Sequence, residues 1–454
     1  MKRVIWIIGM ILLMLLQTSC SYDDGNGPSS DIPDASAIVY SNTDYSVKFI
    51  KSIAASSAQN MCVYKDAVYY VDGLFRLRCV FLTDAEDGTN QKINMISSDC
   101  VQRVCTDPLC ADDTPEGCLK CPAFLYSPDS QYLIDNSESG GEFPVFYYSR
   151  AISSSFDENE FNNGGEHIVV GNYAIYRYDV SSNQRKVIVE QERPIISFSV
   201  YGDQIFFVTT DKDGNYKVVI ADKSGETKYE TSELKNKIDL IGYENGTLYY
   251  ADLEGNVYAS SIEKKDDRLI FPVSSFVLLN TEATSSRMFI EQGFLYFDSE
   301  LIYKETQIAD AHGRIQTYNL PIRTISRIPL SDPLSNAQIV AENVFQSSVH
   351  GICGEKLFYC KLTPGDGSKN GYWNFCGGDI YSVDLSTLKT ELFANNIGMQ
   401  FDLSMNYFSE RFCVGVMAAY SKYYTEIYEE NTSGGKFVCC LYDFVTKQVY
   451  VLPI

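Results

Sequence analysis

Five cysteines within 22 residues are the part of this sequence with the most evident chemistry: Cys100, Cys105, Cys110, Cys118 and Cys121. Disulfide bonds are the simplest interpretation, because a long loop without its own core is commonly cross-linked in an exported protein. Zinc is the second, since Cys118 and Cys121 have metal-knuckle spacing and the four cysteines from Cys105 onward supply a tetrahedral thiolate set. A redox pair formed by Cys118 and Cys121 is the third. It is disfavoured because such a pair needs a helix N-terminus, and Pro122 follows instead. We therefore predict that residues 98–122 form a cross-linked or metal-bound insert.

The elements that position this insert are expected to be strands. The chain has 33 Tyr and 25 Phe, and aromatic and β-branched residues favour pleated, half-buried strands. The formal net charge of −22 argues against nucleic acid or anionic lipid headgroups as partners, since both require a basic surface. The composition predicts a strand-rich, acidic globular body.

A repeated unit runs through the chain: a turn pair followed by apolar and aromatic residues. It occurs at 65–70, 202–207, 245–250, 292–297 and 354–359. A second unit, an apolar step followed by Asp and a polar turn, occurs at 175–183, 380–387 and 440–447. Two such hairpins in about 45 residues make one four-stranded propeller blade. The repeat predicts an all-β fold, a single β-propeller of about seven (six to eight) four-stranded blades over residues 36–454.

The blade boundaries follow from the spacing of these units. They are predicted at 36–135, 144–192, 196–236, 239–283, 287–345, 349–397 and 400–454. The segment 36–60 either begins the first blade or completes the last one, because a propeller ring must close on itself.

The N-terminus has the layout of an export signal. A cationic start, Met1 to Arg3, precedes an apolar run from Val4 to Leu16, and small residues lead to Cys20. The cysteine at this site resembles the lipobox of bacterial lipoproteins, which implies a signal peptide over 1–19 and a lipid on Cys20. An ordinary cleaved signal or an N-terminal anchor helix is the alternative. The acidic, Gly/Pro/Ser-rich stretch over 20–35 predicts a flexible tether.

The repeats also resemble the propellers of bacterial surface lipoproteins, related to Tol-B-like and YWTD-type propellers. The segment Tyr126-Ser127-Pro128-Asp129-Ser130 is similar to the S-P-D-G signature of Tol-B-like repeats. The spacing C-x-x-P-x-C at Cys105 and Cys110 resembles an insert of such lipoproteins, in which a His commonly follows; here Asp112 stands at that position. The resemblance implies a lipid-anchored propeller facing away from the cytoplasm.

The cysteines outside the insert either bridge strands or pack as buried thiols. If Cys20 is lipidated, 13 of the 14 cysteines remain, so at least one is not in an intramolecular disulfide. Cys62 and Cys79 could bridge consecutive strands or remain as two buried thiols. Cys439 and Cys440 are neighbours, and neighbours in a strand point to opposite faces, so we expect one of them in the sheet core.

No catalytic motif, cofactor or established metal site is predicted. The sequence lacks a nucleophile elbow, a phosphate-binding loop and a dinucleotide fingerprint. Residues 211–215 are similar to a calcium loop but lie between two strands, where a hairpin turn explains Asp and Gly better. Tyr372 and Trp373, in an aromatic loop, are possible ligand contacts.

The leading hypothesis is a binding module for a protein, peptide or glycan, anchored to the cell membrane or outer envelope. A carbohydrate-active or other hydrolytic propeller enzyme is the alternative, and an envelope scaffold is the third. Converging carboxylates with shifted pKa values favour the enzyme, and exposed aromatic loops favour the binder.

Overall fold

The computed structural model describes residues 50–55, 61–82, 86–87, 93–110, 120–125, 130–135, 138, 141–156, 168–272, 288–298, 302–309, 315–345, 351–353, 355–360, 380–394, 412–418, 437–443 and 448–452. These residues are almost entirely strands and the turns that join them. The described part of the chain contains no helix with the length and apolar character needed to cross a bilayer.

The first half of the chain supplies two short N-terminal strands and four blades. The N-terminal strands are β1 (Ile50–Lys51) and β2 (Ile53–Ala54). Blade 1 contains β3 (Met61–Tyr64), β4 (Ala67–Val71), β5 (Leu77–Phe81) and β8 (Gln102–Arg103). Between β5 and β8 the chain forms β6 (Glu86–Asp87) and β7 (Ile93–Met95), which join the sheet of blade 7. Blade 2 contains β9 (Gln131–Ile134), β10 (Val145–Phe156), β11 (Ile168–Asp179) and β12 (Gln184–Gln191). Blade 3 contains β13 (Ile195–Tyr201), β14 (Gln204–Thr210), β15 (Tyr216–Asp222) and β16 (Thr227–Glu230), and blade 4 contains β17 (Ile238–Glu244), β18 (Thr247–Asp252), β19 (Val257–Ser261) and β20 (Asp266–Phe271).

The second half supplies three more blades, so the expected seven-bladed propeller is confirmed. Blade 5 contains β21 (Phe289–Glu291), β22 (Phe294–Asp298), β23 (Ile302–Ala309), β24 (Ile315–Pro329) and β25 (Gln338–Phe345). Blade 6 contains β26 (Gly351–Cys353), β27 (Lys356–Cys360), β28 (Ile380–Asp384) and β29 (Thr390–Ala394). Blade 7 contains β30 (Phe412–Ala418), β31 (Phe437–Asp443) and β32 (Gln448–Val451), extended by β7 and β6.

Burial on both faces of each sheet explains the unbroken apolar runs of the repeat. Successive side chains of a strand point to opposite faces. In β14, Ile205 and Phe207 pack against blade 2, whereas Phe206 and Val208 pack against blade 4. All four side chains are almost fully buried. The sequence of such a strand is apolar at every position, because a neighbouring blade covers each face of its sheet.

Turn chemistry fixes the hairpins between the first and second strands. Asn245-Gly246 and Gln292-Gly293 have positive φ at both positions, as type I′ turns require. These turns have the backbone twist that suits two antiparallel strands joined by two residues.

Aspartate side chains organise the longer turns. Asp211 Oδ1 accepts hydrogen bonds from the backbone N–H groups of Asp213 and Asn215, and its Oδ2 accepts one from Asn215 Nδ2. Asp252 makes the same set of contacts in the next blade. Because Thr210 of β14 pairs with Tyr216 of β15, residues 211–215 form the turn of a hairpin, and the hairpin-turn interpretation is confirmed.

The ring closes through β7 and not through the N-terminal strands. Strand β7 pairs in parallel with β32, with Tyr450 opposite Asn94. The Ile96 N–H donates to the Val451 carbonyl at 3.1 Å, and Asn94 Nδ2 donates to Gln448 Oε1 at 3.0 Å. The described part of 36–60 neither begins blade 1 nor completes blade 7, so that expectation is wrong for residues 50–55. The pairing of β7 with β32 joins segments more than 350 residues apart, and no local sequence pattern predicts such a pairing.

Strands β1 and β2 form a wedge between blades 2 and 3. Strand β1 pairs with β13, and β2 pairs with β9. Between them, the Ser52 N–H donates to the Phe198 carbonyl at 2.8 Å, and Ser52 Oγ accepts from the Phe198 N–H at 2.9 Å. The wedge, residues 50–55, therefore joins the first strands of two neighbouring blades.

Breaking the closing pair should destabilise the ring. Ile96→Pro removes the N–H bonded to Val451 and the buried isoleucine side chain, and we expect a loss of about 3 kcal/mol in the free energy of unfolding. Chemical denaturation measures the change. Ile96→Val keeps the N–H and should cost about 1 kcal/mol. Equal losses in the two variants would contradict closure through this pair.

Acid should weaken the Asp384 turn. The hydroxyl of Ser386, together with the N–H and hydroxyl of Thr387, lowers the pKa of Asp384 to about 2. Because the folded pKa is below the unfolded value of about 3.9, this stabilisation is present above pH 3.9 and is lost as the pH falls through 2. We expect Asp384→Asn to melt below the wild type at neutral pH, with the difference closing near pH 2. Melting curves from pH 7 to 2 check this, with the exposed Asp213→Asn as the control.

Candidate functional site

Long connections are concentrated on one face of blades 1 to 6. In an antiparallel meander, connections from second to third strands and from one blade to the next share a face, and the remaining connections share the other. We call these the insert face and the turn face. The strand ends that bound residues 104–130 and 361–379 lie at the insert face, as do the ends joined in the β10–β11 and β23–β24 hairpins. Most first-to-second connections on the turn face have two residues, with 135–144 as the longer exception. The third-to-fourth connection of blade 1, residues 82–101, is also long.

The β23–β24 hairpin projects from blade 5 beyond the four-stranded sheet. Its eight register pairs run from Ile302 opposite Ile322 to Ala309 opposite Ile315. At about 3.3 Å per residue, the hairpin extends roughly 25 Å. Ile302, Tyr303 and Ile315 are exposed by 54%, 63% and 70%. The hairpin thus presents apolar side chains to solvent on the insert face.

Three cysteines of the insert come together at the seam between blades 1 and 2. The Sγ atoms of Cys105, Cys110 and Cys121 all lie within 4.8 Å of one another. Cys105 and Cys121 are buried in the core shared by these blades, and Cys110 is half-buried at its edge. We call these three residues the thiol triad.

Hydrogen bonds to the backbone position the triad. Arg103 Nη1 donates to the Cys110 carbonyl at 2.9 Å, and Arg185 Nη1 donates to the Cys121 carbonyl at 3.1 Å. The Arg185 guanidinium also lies over the Tyr176 ring, 5.1 Å from its centroid. The turn before Cys110 is organised by the Asp107 carbonyl, which accepts from the Cys110 N–H at 3.1 Å. Blade 2 therefore holds the Arg185 guanidinium in place beside the cysteines of the connection from blade 1.

The triad does not behave as three independent thiols. The hydrogen bond between Cys105 and Cys121 lowers the pKa of Cys105 and raises that of Cys121. The physical reason is that Cys121 keeps its proton and donates to the sulfur of Cys105, which favours the thiolate at Cys105. A thiolate with two more sulfurs beside it can bind a soft metal ion or enter a disulfide.

The other predicted cysteines have different surroundings. Cys100 packs against the core shared by blades 1 and 7, away from the triad. Cys62 and Cys79 are buried on strands separated by β4. Cys439 and Cys440 are both buried, where the sequence led us to expect one.

No disulfide joins the eight cysteines whose side chains the structure describes, so the predicted cross-link is not confirmed. Cys118 lies outside the described residues. Cys20, Tyr372 and Trp373 also lie outside them, and lipidation of Cys20 and ligand contact at the aromatic loop stay predictions.

An ion network that sequence reasoning missed joins blades 2 and 3. Lys223 Nζ contacts Asp135 Oδ2 at 2.7 Å and also pairs with Glu138. Arg177 Nε contacts Glu138 Oε2 at 2.6 Å, and the Tyr147 hydroxyl donates to Glu138 Oε1 at 3.0 Å. These donors lower the pKa of Glu138 against the opposing effect of burial, which is the largest single influence on it. Charges this far apart in the chain leave no local pattern. Anchored carboxylates of this kind suit inter-blade pairing better than general-acid catalysis.

Comparison of the sequence with protein-family models and with curated proteins gives no match. Solved structures give matches of low identity. The computationally designed Ika8 protein is 7% identical with a TM-score of 0.39, covering 88% of this chain and 87% of its own. Sqt1 of Saccharomyces cerevisiae is 10% identical with a TM-score of 0.33, covering 89% and 98%. A puromycin-hydrolyzing peptidase of Mycobacterium tuberculosis is 9% identical with a TM-score of 0.35, covering 74% and 44%. At these TM-scores the similarities support no functional assignment.

Removing the Arg185 guanidinium should destabilise the segment around Cys121. Arg185→Met deletes the donor to the Cys121 carbonyl but keeps an apolar side chain over Tyr176, and we expect a loss of about 2 kcal/mol in the free energy of unfolding. Amide hydrogen exchange across residues 121–125 should accelerate. The exposed neighbour variant Lys186→Met is the control and should leave exchange unchanged. Unchanged exchange in the Arg185 variant would show that this contact does not position the triad.

Proposed function

We propose that this protein is a lipid-anchored, extracytoplasmic β-propeller that binds a protein partner through its insert face. The observation that carries the proposal is the division of the ring into two unlike faces, with most of the long connections at one and residue 50 at the other. Propellers are rigid frames, and loops on such frames commonly carry binding residues.

The direction of the wedge supports the orientation. Strand β9 begins at the insert face, because it follows the connection from blade 1. Ala54 lies opposite Gln131 at the start of β9, and Ile50 lies opposite Val200 near the end of β13. The chain therefore runs from the turn face at residue 50 towards the insert face at residue 55. An anchor at Cys20 would then place the turn face nearer the membrane and leave the insert face accessible.

The β23–β24 hairpin supports a protein rather than a nucleic acid as the partner. It offers exposed aromatic and aliphatic side chains and a two-stranded ribbon beyond the blade, which are the features that protein partners use in apolar contacts and strand addition. The net charge of −22 opposes binding to polyanions.

Polar substitutions on this hairpin test the partner surface. The double variant Tyr303→Ser/Ile315→Ser removes two exposed apolar side chains without touching the core, and we expect at least a tenfold loss of partner capture from the native envelope. Leu334→Ser is the matched control, because Leu334 is 91% exposed on the turn-face connection of the same blade. Quantitative mass spectrometry of cross-linked material measures capture. Equal loss in both variants, or binding of a glycan array that the double variant retains, would overturn the proposal.

The anchor has its own test. Cys20→Ser removes the only sulfur that the lipobox resemblance assigns to lipid attachment, and we expect the protein to move from the membrane fraction to the soluble fraction. Incorporation of labelled palmitate should disappear in the same variant. Retained labelling would contradict lipidation at Cys20 while leaving the partner surface untouched.

A further inference from the structure

The thiol triad has one sulfur more than a disulfide can use. Pairing any two of Cys105, Cys110 and Cys121 leaves the third thiol beside a disulfide at the edge of a closely packed core. A soft divalent cation engages all three sulfurs at once. Within the described residues, this is the one group of three or more potential metal ligands whose ligand atoms lie together.

The geometry requires little adjustment for zinc. With a Zn–S distance of about 2.3 Å, a tetrahedral site separates its sulfurs by about 3.8 Å. The triad sulfurs already lie within 4.8 Å of one another. A contraction of about 1 Å or less therefore brings them to bonding distance around a common centre.

Two arginine side chains lie close enough to offset the negative charge of a zinc ion bound by three thiolates. Three thiolates and one Zn²⁺ carry a net charge of −1. Arg103 and Arg185 approach from blades 1 and 2 and bond to the carbonyls of two of the three cysteines. Positive groups held beside the ligands favour the deprotonated thiols that metal binding requires.

From this geometry we propose that Cys105, Cys110 and Cys121 bind a structural zinc ion at the seam between blades 1 and 2. Binding forms three Zn–S bonds and releases the thiol protons to solvent, with no change of oxidation state. The fourth tetrahedral position is left to solvent. The ion would pin residues 104–110 and 120–125 to the ring at the seam, and this inference does not rest on the proposed function.

The experiment uses the full-length chain purified in detergent without reductant or chelator. We expect about one zinc per chain by inductively coupled plasma mass spectrometry. Replacement with Co²⁺ should give thiolate-to-cobalt charge-transfer bands in the near ultraviolet and intense visible bands of tetrahedral cobalt. Cys105→Ser, Cys110→Ser and Cys121→Ser should each lower bound zinc at least fivefold.

Cys100→Ser is the matched control, because Cys100 belongs to the same insert but packs at a different seam. It should retain the zinc. Far-ultraviolet circular dichroism identifies variants that fail to fold, and Cys110→Ser is the most informative because Cys110 is only half-buried. A disulfide between two triad cysteines in the isolated protein, or zinc retained in all three folded variants, would overturn the proposal.

Discussion

The structure depends on burial of both faces of its blades, which the described residues show for blades 1 to 5. A strand such as β14 carries apolar side chains towards blade 2 and towards blade 4, so neither face of blade 3 is suited to water. A row of such sheets could not end without exposing a large apolar surface. Closure of the ring through β7 and β32 is the solution to this constraint. The aromatic residues of the repeat fill the seams, as in the stacked pair Tyr148 and Tyr176 and the edge-to-face pair Tyr69 and Phe146.

Because the ring is closed and its core lies between the blades, the connections at the ends of the strands can be long. The core lies in the seams, so a hairpin or insert at the end of a strand adds no strain to it. The antiparallel meander then sorts connections onto two faces by their order alone. The wedge at residues 50–55 uses the remaining backbone groups of the first strands of blades 2 and 3. Its direction separates the side on which the chain arrives from the side that carries the inserts.

Polar groups are also placed at seams, where they can be satisfied from two blades. Lys223 of blade 3 meets Asp135 and Glu138 of blade 2, and Arg185 of blade 2 meets the carbonyl of Cys121 in the insert. Partly buried charges of this kind contribute little net stability, but separating them is costly. They therefore favour one arrangement of neighbouring blades over a shifted one. The thiol triad occupies the same kind of position, which suits a group that ties an insert to the ring.

The sequence alone determined the fold class, the approximate number of blades and the hairpin turns, because alternating side chains and turn residues such as Asn245-Gly246 act over a few neighbouring positions. It also identified the insert that contains the triad. Only the tertiary structure decided that β7 closes the ring, that residues 50–55 wedge between two blades, and that Cys105, Cys110 and Cys121 meet while Cys100 does not. These outcomes depend on contacts between residues far apart in the chain. Local patterns do not encode such contacts, since they arise only when blades pack against one another.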